Sequence, residues 1–533
     1  MPTDCISFRD TAFVSKLICD YVEHRPELQV LYNRFPTLEN FKAQLESKQS
    51  EFSSQTRNVL VTALTDQYKQ LSHSELASSA IQSLASENTF TVTTGHQLNL
   101  LGGPLYFLYK IITTINLAKE LSQNYPNNKF VPVFWMASED HDFEEINHFN
   151  FQNKRFQWTQ ECYGAVGELS TLGLAEFVDV FTGALGNSSQ AIELKKIVKN
   201  AYKNHSNLAS ATRYLVHTLF GSEGVLVIDG NSPELKRIFI PQITSELKTQ
   251  QAFKTVSKTN NQLSKIDSSY KIQVNPRELN FFYLKENIRE RIVKRGEFYT
   301  VLNTDITWDL AGILDEVNSH PERFSPNVIM RPLYQETVLP NLCYVGGGGE
   351  LAYWLQLKSY FEAEHIQFPI LLHRNSVLLI SQKQHQKLDK LQLNVSDLFK
   401  NKEALIQFQI KKIAALPLDF SAQKELLKQQ FQHLYMIANQ TDKSFKGAVS
   451  AQEKKQIKGL EALEKRLLKA EKKVHAAYIK RLDSIHLELF PNGGLQERTM
   501  NFSEFYLDYG DAFIETLKTE LDPLNQKFCV LTL

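Results

Sequence analysis

Between about residues 10 and 87 the apolar positions recur at helical spacing, with Phe13, Leu17, Val22, Leu28 and Leu31 as markers and Pro26 and Pro36 as punctuation. The pattern changes at FTVTT, Phe90 to Thr94, where a short β-branched run bounded by Gly95 predicts a buried strand. Pro104 then predicts the opening of a helix that runs to about Ser122, because proline loses nothing in a first helical turn. Three more short apolar runs follow: FVPVFWMA (Phe130 to Ala137), GVLVIDG (Gly224 to Gly230) and FPILLH (Phe368 to His373). Strands alternating with helices predict an α/β fold with a doubly wound parallel sheet and right-handed crossovers. Roughly 85 residues separate the second and third runs, far more than a simple crossover needs. Insertions are therefore expected near 150–215 and 231–330, walling the site.

From about Gln382 to Glu488 the chain is rich in Lys, Glu, Gln and Leu, with few Gly or Pro. Leu460, Leu463, Leu467, Ala470, Val474 and Ala477 advance in steps of three and four, flanked by Glu461, Glu464, Lys465 and Lys472, which predicts a coiled-coil helix. Leu427, Phe431, Leu434 and Ala438 repeat the spacing upstream, so a helical hairpin turning near Gln440 to Gly447 is expected. The resulting division is a helical segment at 1–87 packing on the core, a Rossmann-like core at 88–385, a coiled-coil domain at 386–490, and a segment at 491–533 returning to the core.

Composition narrows the function classes. The chain has 533 residues, and its 59 Lys+Arg match 59 Asp+Glu, so the basic footprint of a nucleic-acid binder is missing and no nucleic-acid partner is expected. The opening MPTDCISFRDTAFVSKLICD lacks a charged region followed by a long apolar run, and no stretch of about 18 apolar residues occurs, which predicts a cytoplasmic protein without a membrane partner. Cys5, Cys19, Cys162, Cys343 and Cys529 are widely separated and never in CxxC spacing, which argues against a disulfide framework and a thiolate zinc site.

Three polar clusters follow strand ends or glycine-rich turns, where doubly wound sheets hold ligands. In TTGHQLNLLGGPLY, Gly95, Gly102 and Gly103 allow close backbone approach, and the following helix offers its positive end to a phosphate; a tight strand-to-helix turn accounts for the glycines equally well. In SEDHDFEEINH, the side chains of Glu139, Asp140, His141, Asp142 and His148 have the types needed for a metal site, an acid/base set or an amine pocket; HExxH is absent, so no metal site is assigned. The third cluster holds Arg331, Gln335, Tyr344 and the four glycines Gly346 to Gly349, before a helix expected near Glu350, whose charge suits a substrate ammonium. Its glycines lie among Tyr344, Tyr353 and Trp354, so close packing on a ligand or another backbone is expected.

TTGHQLNLLGGPLYFLYK, VPVFWMASEDHDFEEINH, SPNVIMRPLYQETVLPN, YVGGGGELAYW, the HRNS after the last strand and PNGGLQER, in this order, resemble the cysteine-adding enzymes of bacillithiol biosynthesis, a family of cysteine ligases. The resemblance extends from about Phe90 to the C-terminus. It implies a core similar to class I aminoacyl-tRNA synthetases, a coiled coil used to form a homodimer, and the joining of cysteine to the amine of glucosaminyl-malate in the last step of the pathway. ATP with Mg2+ would activate the carboxylate, as adenylate or as acyl phosphate. His96, Gln97, Asp140 and His141 are the best catalytic candidates. Nucleotide or carboxylate contacts are assigned to Gly95, His96, Gln97, Asn99, Gly102, Gly103, Arg374, Asn375 and Ser376. Substrate contacts are assigned to Trp135, Ser138, Glu139, Asp140, His141, Asp142, Arg331, Gln335, Tyr344, Gly347, Gly348 and Glu350. Two positions depart from the family's usual pattern: His96 stands where Gln is common, and Gly348 makes GGGG of the usual GGPG. A clear HxGH is absent, with GHQ in the analogous place, and KTVSKT (Lys254 to Thr259) reads as helix surface. The competing readings are a non-catalytic nucleotide-binding or assembly protein, and a metal-dependent hydrolase of thiol conjugates.

Overall fold

The computed structural model describes residues 4–69, 71 and 75–533. Contacts divide the chain into two units, one comprising residues up to Arg9, Phe13–Leu378 and Leu495–Leu531, the other Asp10–Ala12, Leu379–Gly494 and Thr532–Leu533. The main divisions thus fall at 378/379 and 494/495, where the sequence pattern had placed them at 385/386 and 490/491.

The larger unit is built on a five-stranded parallel sheet in the order Ile370–His373, Asn341–Gly346, Thr89–His96, Lys129–Met136 and Leu226–Asp229. Every residue of the central Thr89–His96 strand is buried, which is why it reads as a continuous run without alternation. Chain order runs outward from this strand to Leu226–Asp229, then resumes on its other side with Asn341–Gly346. The topological switch point therefore lies between Thr89–His96 and Asn341–Gly346. All four strands expected from the sequence form, and the fifth is the one it missed. Asn341–Gly346 is short, follows Pro340 and ends in the glycine run, so its apolar stretch looked like part of a loop.

The expected insertion at 231–330 contains a second sheet that the sequence pattern had not disclosed. Its antiparallel strands run in the order Thr307–Trp308, Phe298–Val301, Ile288–Arg295, Phe281–Lys285 and Phe324–Pro326. KTVSKT lies in the helix Gln251–Ile266. The N-terminal helices share the main core: Leu17, Ile18, Tyr21, Leu60 and Leu64 cluster with Trp135, Ile228 and Tyr344. The C-terminal segment of this unit adds the antiparallel pairing of Asp4–Ile6 with Phe528–Thr532. It also brings Glu497, 1% exposed, onto Arg374, 3% exposed, through contacts of 2.7 and 3.0 Å.

The smaller unit is helical, with Ser421–Ala438 and Lys443–Val474 as its longest elements and a modest core of Phe431, Ala438 and Val449. Its seam differs from the one expected. Leu460 and Leu467 are half-buried, but Leu463, Ala470, Val474 and Ala477 are exposed. The half-buried positions include Glu453, Ile457, Leu460, Glu464, Leu467 and Glu471, which keep heptad steps of four and three. Glutamates occupy half of that line and find partners: Glu453 accepts from Tyr435 Oη at 2.8 Å, and Glu464 pairs with Lys424. Restricting the line to apolar residues shifted the expected seam off the observed one, with which it shares Leu460 and Leu467. Among the described residues no helix is long and apolar enough to cross a membrane.

Two buried features of the large unit set its response to mutation and pH. Removing the Glu497 carboxylate strands a buried guanidinium, a loss of roughly 3–5 kcal/mol. Glu497→Ala is expected to cut the unfolding free energy by that amount in denaturant titrations, and an unchanged midpoint would refute the structural role of the pair. His96 and His373 end two strands, and both are lowered to about 3 from 6.5, by burial first and then by Lys110 and Arg374 respectively. The unfolded chain binds the extra protons, so stability that is complete above about pH 6.5 falls as pH drops toward about 3. His96→Gln should flatten this decline between about pH 7 and 4; an unaltered slope would mean the ring is not held neutral.

Candidate active site

A cavity of about 650 Å³ opens at the carboxyl ends of the parallel strands, beside the switch point. Gly95, His96 and Gln97 from the end of Thr89–His96, Trp135 to Ala137 from its neighbour, and Tyr344 from Asn341–Gly346 line it. The strand register brings them level: Gly95 lies opposite Trp135, and Thr94 opposite Val345.

TTGHQLNLLGGPLY divides into two parts. Gly95 to Gln97 face the cavity, whereas Gly102 and Gly103 lie outside its wall. Leu101, Gly102 and Gly103 all have positive φ, and a Cβ would come within 2.4 Å of Phe107 at Gly102 and 2.8 Å of Asn99 at Gly103. The glycine pair is therefore a bend filled by the chain's own side chains, and Asn501 locks it by donating to the Leu101 and Gly103 carbonyls.

The other side of the switch point is organised by Glu350, in the first turn of the helix Gly348–Trp354. Its carboxylate accepts from Tyr344 Oη at 2.7 Å and Gly347 N at 2.8 Å, and pairs with Lys110 Nζ at 2.6 Å. Burial opposes its charge, but Lys110 and these donors prevail and hold its pKa below the usual carboxylate value. Lys110, itself buried, also donates to the Gly95 carbonyl. Arg331 sits 5.7 Å from the Tyr344 ring, donating to Gln335 Oε1 at 2.9 Å. His96 is wedged against Tyr106 and Phe107, and its buried Nε2 has no partner. Such a neutral ring is too weak a base for efficient proton abstraction near pH 7.

The carboxylates of SEDHD diverge. Gln97 Nε2 donates to Asp140 at 3.1 Å and to Glu145 at 2.7 Å, drawing the first two clusters together. Although burial raises the Asp140 pKa, hydrogen bonds from His141 and Gln97 and the charge of Arg289 bring it well below the usual range. Glu139 pairs with the fully buried Lys236 behind the wall, and His141 meets Arg289. Ser138 turns away to Asp229, Asp142 is exposed, and His148 has entered the short strand His148–Phe151. Among the described residues no group of three or more His, Cys, Asp or Glu side chains is placed to hold a metal ion.

The inserted antiparallel sheet and the segment leading into it supply the wall that sequence reasoning missed: Phe282, Arg289 and Arg291 from the sheet and Arg277 from the segment before it line the cavity. The signal lay in RERIVKR, where Arg289 and Arg291 stand two apart and so share one face of a strand. Lys110 and Tyr106, one helical turn apart, were missed likewise.

Asn99, Gly102, Gly103, Ser138, Asp142, Gln335, Gly347, Gly348, Arg374, Asn375 and Ser376 lie outside the cavity wall. Several of them support it. Asn99 donates to the Glu145 carbonyl, Gln335 receives Arg331, and Gly347 donates to Glu350. Arg374 and Ser376 are engaged with Glu497, and Asn375 with Thr113 and the Asp522 carbonyl. Gly348 is the first residue of its helix, a place where proline is also well accommodated, so the GGPG pattern and the GGGG of this chain suit the same geometry.

Comparison with known proteins agrees with this architecture. A protein of Flavobacterium johnsoniae is 54% identical over 533 residues, covering 100% of both chains, and one of Christiangramia forsetii is 50% identical over 537 residues, covering 100% of this chain and 99% of its own. A protein of Bacillus anthracis is 28% identical, covering 97% and 98%. Each bears the name "Putative cysteine ligase BshC". Among solved structures, one titled as an arginyl-tRNA synthetase of Campylobacter jejuni aligns over 83% of this chain and 97% of its own at 10% identity, but its TM-score of 0.19 supports no argument. Residues 1–375 match the family described as bacillithiol biosynthesis BshC, N-terminal Rossmann-like domain, and residues 377–533 match its C-terminal coiled-coil domain. With its Rossmann-like sheet, switch-point cavity and helical hairpin, the chain belongs to the BshC family of bacillithiol biosynthesis.

Proposed function

We propose that this protein is an ATP-using ligase that joins the carboxyl group of cysteine to the amine of glucosaminyl-malate, the last step of bacillithiol formation. The observation that carries this reading is the cavity's two-sided charge. Glu139, Asp140 and Glu350 suit ammonium and hydroxyl groups, while Arg277, Arg289, Arg291 and Arg331 suit carboxylates. The two substrates together present an α-ammonium, a sugar amine, hydroxyls and a malyl dicarboxylate. Arg331, cushioned on Tyr344 and oriented by Gln335, is the residue proposed to grip a malyl carboxylate.

Amide formation from a carboxylate needs a better leaving group than hydroxide, and ATP would supply it as adenylate or acyl phosphate. The unpartnered Nε2 of His96 and the side chain of Gln97 are the proposed contacts for the nucleotide or the activated carboxyl. Asp140, ionised and tethered by Gln97, is proposed to hold the attacking amine in place. Mg2+ would be carried mainly by phosphate oxygens of the nucleotide, since the chain's carboxylates here are dispersed among cationic partners.

Homodimer formation through the coiled coil is part of the same proposal. Its support is the apolar surface left on Lys443–Val474, where Leu463 is 53% and Val474 73% exposed.

Incubation of purified protein with ATP, Mg2+, cysteine and glucosaminyl-malate should yield the thiol product, with AMP marking an adenylate and ADP an acyl phosphate. Repeated absence of that thiol would sink the ligase reading. Gln97→Ala, and also His96→Ala, should lower turnover at least about tenfold, about 1.4 kcal/mol of transition-state stabilisation. Gln97→Ala should leave the melting midpoint nearly unchanged, and normal turnover in both variants would remove these residues from the site.

Replacing Leu463 and Val474 together by Glu should give folded monomers in sedimentation velocity. Retention of the unsubstituted protein's mass would place any dimer contact elsewhere.

A further inference from the structure

Where Asp4–Ile6 pairs antiparallel with Phe528–Thr532, Cys5 lies directly opposite Cys529. Directly opposed residues of such a pair have Cα atoms about 4.5–5.5 Å apart and side chains on the same face, within the roughly 4.4–6.8 Å that a disulfide spans. No other described cysteines stand this way: Cys19 is on a helix, Cys162 in a loop, and Cys343 faces Ile370 and Val92 across its sheet. Both thiols are free, Cys5 half-buried and Cys529 buried. Asn525 Nδ2 lies 3.7 Å from Cys5 Sγ.

We propose that Cys5 and Cys529 are a reversible disulfide site, oxidised by hydroperoxides and reduced by low-molecular-weight thiols, that fastens the first described strand to the C-terminal one. Cys5, the more exposed, is the sulfur that meets the oxidant. Its thiolate attacks one peroxide oxygen; the other oxygen leaves with the electron pair and, once protonated, is water. The Cys5 sulfenic acid then loses its hydroxyl as a second water when Cys529 sulfur attacks, forming the S–S bond. In sum, two thiols and one hydrogen peroxide give one disulfide and two waters. Two equivalents of a small thiol reverse the bond by exchange, leaving as their own disulfide. Burial, and after it the facing Cys5, push the Cys529 thiol up to about 12, so it arrives as a thiol and surrenders its proton during the second step.

The bond would act on a weak point. Asp4–Ile6 is only three residues long, and a covalent link here closes a loop of nearly the whole chain, which restricts the unfolded ensemble most.

The test is made on the full-length protein, without relying on any variant to fold. Protein treated with stoichiometric hydrogen peroxide, alkylated and digested should yield one linked peptide pair containing Cys5 and Cys529, about 2 Da lighter than the two free thiol peptides together. Cys19, Cys162 and Cys343 should be recovered alkylated, and dithiothreitol should restore the free pair. Cys162→Ser should behave like the unsubstituted protein, whereas Cys5→Ser should yield no link. Recovery of Cys5 and Cys529 as separate alkylated or sulfinic peptides, or a link through any other cysteine, would overturn the proposal.

Discussion

The ion pair between Lys110 and Glu350 spans the switch point of the sheet, and much of the cavity is arranged around it. Lys110 projects from the helix that follows the central strand and also holds that strand's Gly95 carbonyl. Glu350 comes from the helix after Asn341–Gly346 and gathers Tyr344 and the Gly347 amide. The pair thus clamps the carboxyl ends of two strands whose chain segments are some 240 residues apart, and Lys110, 3% exposed, is too buried to stand unpaired. Lys110 contributes further through its charge, which with burial keeps His96 neutral, its buried Nε2 without a partner.

Around this clamp, oppositely charged walls come from different layers. The parallel sheet contributes carboxylates just beyond the Lys129–Met136 strand, and the inserted antiparallel sheet contributes arginines. The carboxylate wall is tempered from both sides: Arg289 meets His141 and depresses the Asp140 pKa, while Lys236, from the helix Pro233–Ile238, takes up Glu139. A site with compensated charge can hold zwitterionic substrates without binding every ion of one sign, which fits the proposed pairing of an amino acid with an amine-bearing dicarboxylate.

Support for the site reaches it from the ends of the sequence. Asn501 secures the bend at Gly102 and Gly103, and Glu497 neutralises Arg374 beside the Ile370–His373 strand. The Cys5–Cys529 register belongs to the same stitching of the termini. Arg374 and Ser376, assigned to ligand contact from the motifs, bond to Glu497, and Asn375 bonds to Thr113 and the Asp522 carbonyl.

What the sequence determined by itself was whatever depends on local periodicity and residue type. Four core strands, the helix after Pro104, the helical hairpin and the family resemblance were legible, because short buried runs and heptad steps are encoded over fewer than a dozen neighbouring positions. Gly95 to Gln97, Glu139 to His141 and Glu350, which line the cavity, were singled out in the sequence because each follows a strand or glycine turn, and Arg331 because it lies in the polar segment before the glycine run. Only the tertiary structure decided that Gly102 and Gly103 form a bend filled by Phe107 and Asn99, that Arg277, Arg289 and Arg291 close the cavity, and that Glu453 and Glu464 take seam positions beside their partners. Those outcomes turn on which groups meet across hundreds of residues. A charge or a glycine has no fixed role until its neighbour in space determines whether it must be paired, buried or left facing a ligand.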